Sequence, residues 1–318
     1  VMNDKLNVLF LGGAKRVSLA EHLIDTARRK GLDVEVYSYE LDEFVPIASV
    51  GTVILGLRWK DENIIPDLLS VIREKDIHIV LPFVDPAVEV ASRLRSICSD
   101  VFIPVCREDI CKVMFDKQLS VDWFKKYDIP VPQCFSIGNI EFPVILKPRT
   151  GSASKGIKIV YSRDDLRNIS NLGSYVIQTY IQDGIEFTVD CYVSESRDIV
   201  SIVPRIRLEV AGGEVIKTRT IKDDVCITLS RKVLQTGQFI GPVTIQFIRD
   251  VATDKTYIME INPRLGGGVI ASIEAGANIL STLLDEYLKY PVEPIVSWKE
   301  NIFMTRYFKE VIFYADNH

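Results

Sequence analysis

The sequence predicts an α/β unit built on a parallel sheet, followed by an α+β region of antiparallel strands. Two observations carry this expectation. From residue 5 to about residue 105, short apolar runs alternate with segments of helical periodicity, the pattern of a parallel sheet with helices on its faces. From Pro104 onward the pattern changes to two short helices, a proline-rich passage through Pro130 and Pro132, and apolar strands lying close together. The boundary is placed near residue 108, giving units at residues 1–108 and 109–318.

Taken in order, Asn7 to Leu11 is an apolar strand ending at Gly12-Gly13, and a helical stretch to Lys30 is closed by Gly31. Val34 to Ser38 and Val53 to Leu55 read as strands, Glu62 to Lys75 as a helix, and Ile77 to Leu81 as a further strand. Ligands gather at the carboxyl ends of such strands. The turn Gly12-Gly13-Ala14-Lys15-Arg16 lacks the G-x-G-x-x-G spacing, so it reads as a close strand-to-helix turn or as a phosphate loop, but not as a dinucleotide fingerprint. Asp85 and Glu89 follow the fourth strand, where they would meet a substrate or serve as a helix-opening acid and a solvated helix face. Ile110 to Phe115 and the stretch after Asp116-Lys117 to Tyr127 are the two helices of the second region.

Composition narrows the function. The chain has 318 residues, 47% hydrophobic, enough for two cores, and a formal net charge of -5. That balance argues against nucleic acid as the partner, because phosphate backbones demand a basic surface. No apolar run reaches membrane-spanning length and no secretory pattern is present, so the expectation is a cytoplasmic protein without a membrane partner. Six scattered cysteines without a C-x-x-C pair suit reduced thiols, and three histidines far apart in sequence disfavour a zinc centre or a histidine triad.

The strongest chemical signal is Tyr257-Ile-Met-Glu-Ile-Asn-Pro-Arg264, followed by Gly266-Gly267-Gly268. Side chains alternate along a strand, so Glu260 and Asn262 share one face, while Ile258, Met259 and Ile261 suit a buried sheet. Two oxygen donors beside Arg264 suit Mg²⁺ carried by a nucleoside triphosphate; a strand ending at a proline turn, with Glu260 solvated, is the plainer alternative. Val144 to Pro148 is a buried strand that presents Lys147, and the run Thr150 to Gly156, with Ser152, Ser154 and Lys155, is either a phosphate-covering hairpin or a surface turn. Tyr175 to Ile181 is a strand whose exit offers backbone groups to an adenine edge. Glu186, just inside the next strand, is placed for ribose hydroxyls or is a charged edge residue. Gln246 interrupts the apolar run Pro242 to Phe247, so its amide needs a metal, a water or a neighbouring strand as partner.

The order Lys117, Lys147-Pro148, the Gly/Ser loop, Gln178-Thr179-Tyr180-Ile181, Gly184 with Glu186, Gln246, and Glu260-x-Asn262-Pro-Arg264 resembles the ATP-grasp superfamily. Within it, the chain looks like the carbamoyl-phosphate synthase large-chain type over essentially its whole length. The resemblance implies a Rossmann-like pre-ATP-grasp domain, then a two-lobed ATP-grasp domain with antiparallel sheets, a mobile lobe at about residues 140–183 and a C-terminal lobe at about 184–318. It also implies roles. Lys117 and Lys147 would neutralise ATP phosphates, the loop from Thr150 to Gly156 would close over them, Gln178 to Ile181 would line the adenine pocket, and Glu186 would hold the ribose. Gln246, Glu260 and Asn262 would hold one or two Mg²⁺ ions, with Mn²⁺ as a substitute, and Arg264 would steady the γ-phosphate and an acyl phosphate. Arg219 is a candidate for the anionic substrate or a strand-surface arginine. Two departures stand out: Thr179 where many relatives carry an acid, and neutral Gln246 where many carry Asp or Glu, which weakens one metal position. The sequence stops shortly after Tyr314, so little or no further C-terminal domain is expected.

The expected function is therefore an ADP-forming ligase that joins a small carboxylic acid to an amine, with a homodimer as the default assembly. Bicarbonate activation of the carbamoyl-phosphate type ranks second, and a non-catalytic ATP-binding subunit is the rival from another class. A nicotinamide-dependent dehydrogenase is disfavoured by the missing glycine fingerprint.

Overall fold

A computed structural model describes residues 4–151 and 155–314. The N-terminal unit runs β1 (Asp4–Leu11), α1 (Val17–Arg29), β2 (Leu32–Glu40), β3 (Thr52–Leu55), α2 (Ile64–Glu74), β4 (Ile79–Pro82) and α3 (Asp85–Ile97). Its four strands form a parallel sheet in the order β3-β2-β1-β4. The predicted elements are all present. Strand β2 extends two residues past the predicted span at each end, and α2 starts two residues later than predicted because Asn63 flanks it outside the helix.

Both faces of this sheet are buried, as the near-continuous apolar runs require. One face packs on α2 and α3 through Leu9, Leu11, Leu68, Ala91 and Leu94. The other packs Val8 and Phe10 with Leu19 and Leu23 of α1, and with Leu280, Leu283 and Leu284 from the far end of the chain. A sequence division near residue 108 therefore does not divide the core: a helix some 270 residues downstream completes it.

After α3 come α4 (Glu108–Phe115) and α5 (Lys117–Lys126), the latter capped by the Asp116 carboxylate, which accepts from the N–H groups of Gln118 and Leu119. Strands β5 (Val144–Pro148) and β6 (Lys158–Val160), helix α6 (Arg163–Arg167) and strand β7 (Tyr175–Thr179) follow, with the three strands forming a small antiparallel sheet in the order β6-β5-β7. The remaining elements are β8 (Ile185–Val193), β9 (Ile199–Ala211), β10 (Glu214–Thr220), α7 (Asp224–Leu234), β11 (Gly241–Arg249), β12 (Thr256–Asn262), α8 (Val269–Glu274), α9 (Ile279–Tyr287) and β13 (Phe303–Thr305). Their strands build a six-stranded antiparallel sheet, β12-β11-β8-β9-β10-β13. Its core joins Val189, Ile202, Ile245 and Ile261 to residues of α4, α5 and α7 such as Met114, Phe124 and Val233. No helix among the described residues is long and apolar enough to cross a membrane.

One ion pair lies wholly inside the larger sheet. Arg205 on β9 donates from Nε to Asp190 Oδ2 on β8 at 2.8 Å and from Nη2 to Oδ1 at 3.3 Å, and the Ser272 hydroxyl of α8 donates to the same carboxylate at 2.6 Å. Both charged residues are only 1% exposed. Removing one member strands the other's charge away from water, which costs about 3–5 kcal/mol. Asp190→Ala is expected to lower unfolding stability by about that amount in a urea titration; an unchanged midpoint would contradict the role given to this pair.

Candidate functional site

The carboxyl ends of β1 and β4 and one face of the six-stranded sheet enclose a cleft of about 390 Å³. Each wall delivers its side chains for a local reason. Strand β5 ends at Lys147-Pro148, and the first residue of α5, Lys117, is tied to the neighbouring segment: its N–H donates to the Arg149 carbonyl and its Nζ to the Gly151 carbonyl at 2.9 Å. Cross-strand registry does the rest. Gln246 pairs with Glu260 and Thr244 with Asn262, so all four project into the cleft side by side.

Registry also corrects the expectation for Met259. The ladder pairs Gln246 with Glu260 but Phe247 with Ile258, so Met259 is the extra residue of a β-bulge. The bulge interrupts strict alternation, and Met259 lines the cleft beside Glu260 instead of joining Ile258 and Ile261 in the core.

Seven basic side chains line the cleft against four acidic ones, in a chain whose formal charge is -5. Lys147 sits among them with burial pushing its ammonium below the usual lysine range; Glu260 pulls it back up and Lys117 pushes it down again. Arg207 is likewise held below the usual arginine range by burial, offset by Glu186. It donates from Nη1 to Gln246 Oε1 at 2.8 Å, and its Nε lies 3.4 Å from a Glu186 carboxylate oxygen. The Gln246 amide oxygen thus finds its partner in an arginine of β9, two strands away, and not in an adjacent strand. Arg264 forms an ion pair with Asp85, the first residue of α3, at 3.0 Å, which resolves the Asp85 alternatives: it opens the helix and also anchors the far wall's arginine. Arg205 lines the cleft, and its buried Nη1 has no hydrogen-bond partner among the described residues. An orphaned guanidinium N–H in a basic cleft calls for an anion.

The donor set has a definite fit to a divalent cation. Asn262 Nδ2 donates to Glu260 Oε1 at 2.9 Å, an orientation that leaves Asn262 Oδ1 and the second Glu260 oxygen uncommitted. With Gln246 beside them this makes one carboxylate and two amides, and no cluster of three His, Cys, Asp or Glu exists among the described residues. Such a set suits an ion that arrives with phosphate oxygens rather than one held by the protein alone.

Of the residues singled out in the sequence, the cleft gathers Lys117, Lys147, Lys155, Glu186, Gln246, Glu260, Asn262 and Arg264. Ser152 and Ser154 lie outside the described residues. Gly156 has a left-handed backbone, φ +75°, and packs by Pro148 without lining the cleft. Gln178 is not in the lining either. It is 4% exposed, and its amide donates toward Cys134 Sγ inside the small lobe. Thr179 and Tyr180 have their N–H groups committed to Gln133 and Pro143 carbonyls, and with Ile181 they stand outside the lining.

Of the two readings of Arg219, a group for the anionic substrate or a strand-surface arginine, the geometry matches the second. Thr218 pairs with Arg207 and Thr220 with Arg205, so those residues share the cleft side of β10 and β9, while Arg219 pairs with Ile206 on the opposite face. There it donates to Asn301 Oδ1 at 2.8 Å and lies over the Phe303 ring. The arginines that do reach the cleft, Arg205 and Arg207, went unmarked. Their signal was present: two arginines spaced by two within the apolar strand Ile199–Ala211.

The glycines at 266–268 are explained by crowding. A Cβ on Gly268 would stand 2.5 Å from Arg205 Nη1, and one on Gly267 would stand 2.9 Å from Arg306 Nη2 and 3.4 Å from Arg16 Nη1. Side chains here would displace the guanidinium groups that line the cleft.

A family model described as "ATP-grasp in the biosynthetic pathway with Ter operon" matches residues 173–309. Among curated proteins, the C-terminal section of the carbamoyl phosphate synthase large chain of Methanopyrus kandleri is 26% identical over 44% of this chain and 31% of its own length. D-alanine--D-alanine ligase of Rickettsia canadensis is 24% identical over 55% of this chain and 57% of its own. The chain thus spans less than two thirds of both. Among solved structures, the biotin carboxylase domain of Hydrogenobacter thermophilus 2-oxoglutarate carboxylase, solved with MgADP, ADP and bicarbonate, superposes with a TM-score of 0.75 at 15% identity, covering 93% of this chain and 73% of that one. N5-carboxyaminoimidazole synthetase of Staphylococcus aureus, complexed with ADP, gives a TM-score of 0.72 at 19% identity over 94% of this chain and 81% of that one. The chain shares its fold with both solved structures.

Gly268→Ala forces its methyl against a guanidinium fixed by Asp190, and overpacking of this kind costs about 1–3 kcal/mol. Gly267→Ala meets only the guanidinium tips of Arg306 and Arg16, which are less buried than Arg205, and is expected to cost less. Thermal unfolding of the two variants checks the order, and the reverse order would contradict the packing described.

Proposed function

We propose, from the premise that the chain is an ATP-grasp superfamily protein, that it is an ATP- and Mg²⁺-dependent ligase that activates a carboxylate as an acyl phosphate for attack by an amine. One observation carries this reading: basic side chains from α5, β5, β9 and the segment after β12 converge on a single cleft that also holds the Glu260–Asn262 pair. That is the electrostatic complement of a magnesium-loaded triphosphate.

In the proposed reaction a carboxylate oxygen of the substrate attacks the γ-phosphorus of ATP. The bond from γ-phosphorus to the bridging oxygen breaks, and ADP leaves with the electron pair. The amine nitrogen then attacks the acyl carbon, the carbon–oxygen bond to phosphate breaks, inorganic phosphate departs, and the amine proton passes to solvent. Lys147 and Lys117 offset phosphate charge, and Arg264, steadied by Asp85, faces the transferred group. Glu186 receives the ribose hydroxyls and Lys155 faces the phosphates. Glu260, Asn262 and Gln246 are the residues that would hold Mg²⁺, which when bound supplies charge neutralisation at the phosphate oxygens. Arg219 has no part, because its face of β10 is turned away. The chemistry asks for position and charge rather than for proton-transfer groups, so the scarcity of histidine is consistent with it.

Lys147→Ala removes a buried counter-charge and is expected to weaken MgATP binding about 10- to 100-fold and to abolish most ADP release with pooled carboxylates and amines. Near-normal kinetics would exclude the assignment. Glu260→Gln is expected to fold normally yet to lose most of its Mg²⁺-dependent turnover, so a magnesium titration identical to the wild type's would remove Glu260 from the metal set.

A further inference from the structure

A second cavity, of about 440 Å³, lies over the carboxyl ends of β1 and β2 and joins the first: Arg16, Phe83, Val84 and Glu214 line both. One side of it is an apolar wall of Tyr39, Leu41, Val45, Leu57, Trp59 and Val84, and its rim carries the charged residues Lys15 and Asp42. Leu41 is 57% exposed and Val84 36%, so neither is consumed by the core. The rings of Tyr39 and Trp59 lie 5.8 Å apart. The Tyr39 hydroxyl donates to Asp67 and accepts from the Leu57 N–H, so the cavity meets the ring and not the hydroxyl.

Two features decide what such a cavity can accept. Glu40 stands at the end of β2, where an acid could receive sugar hydroxyls, but its carboxylate already accepts from the Ser38 hydroxyl at 2.7 Å. Arg16, where the cavities meet, has no hydrogen-bond or carboxylate partner for its side chain among the described residues; it stacks over Phe83. Its neighbours are like charges already paired, Arg264 with Asp85 and Arg306 with Glu214. Burial first, then Arg264 and Arg306, bring Arg16 down to about 10 against the opposing pull of the Glu214 carboxylate, an environment an incoming anion would relieve.

We propose that the acid activated at this site is a monocarboxylate with an aromatic or branched apolar body. Its carboxylate binds Arg16 at the junction, and its body fills the cavity against Tyr39 and Trp59. This placement rests on the ligase reading, since it sets the carboxylate facing the end of the triphosphate cleft. Ring stacking and apolar burial would hold the body, and one guanidinium the head.

Calorimetric titration of the full chain with MgADP and with 3-phenylpropionate, 4-methylpentanoate, 3-phenylpropionamide, acetate and ribose 5-phosphate tests it. The two apolar acids are expected to bind, with the amide and acetate at least about tenfold weaker. Trp59→Ala is expected to weaken 3-phenylpropionate about tenfold or more while MgADP binds as before, which also reports that the variant is folded. Leu41→Glu, at the exposed rim, repeats the test without touching the core, and Arg16→Met is expected to abolish acid binding. Ribose 5-phosphate binding more tightly than either acid, or apolar acids indifferent to Trp59 and Leu41, would overturn the proposal. If MgADP binds and no apolar acid does, this inference alone fails; if MgADP does not bind, the ligase reading fails.

Discussion

A cleft with more basic than acidic side chains repels itself, and the structure depends on how that repulsion is restrained. Four arginines in and beside it are each braced by an acid on another element: Arg205 by Asp190, Arg264 by Asp85, Arg306 by Glu214, and Arg207 by Glu186 together with the Gln246 amide. The braces fix the guanidinium planes before any ligand arrives, and preorganised charge of this kind acts without reorganisation at the moment of reaction. What the braces leave over is the functional residue: the Arg205 Nη1 without an acceptor, the Arg16 side chain without a carboxylate, and Lys147 held below its usual range by burial.

The braces also join the parts of the molecule. Asp85 belongs to the N-terminal unit and Arg264 to the segment after β12, so their ion pair spans two sheets across the cleft. Lys30 on the α1 side pairs with Asp285 of α9 at 2.7 Å, while Leu280 and Leu284 of α9 complete the first core. Packing and charge thus hold the same two walls together, and a ligand between them would meet surfaces already in register.

Much of the fold was legible from periodicity. Parallel strands buried on both faces are largely apolar, so β1 and β4 announce themselves, as does the change of pattern that precedes α4. The Glu260–Asn262 pair was legible for the same reason, because a period of two puts both on one face of β12. Alternation misled at Met259, where a bulge adds a residue. The face of β10 on which Arg219 stands depends on its partner strand rather than on its own sequence, and the Gln178 side chain turns toward Cys134.

By itself the sequence determined which residues could carry chemistry: lysine at the end of an apolar strand, an acid and an amide spaced by two, a run of three glycines. Local periodicity is enough for that, since it reports the side of an element on which a residue stands. Only the tertiary structure decided which of those sides meet. Registry chose Arg205 and Arg207 over Arg219, and crowding by distant arginines required Gly267 and Gly268. The joining of two sheets created the junction at Arg16. Contacts between residues far apart in the chain are set by packing of whole surfaces, and no short window of sequence contains both surfaces.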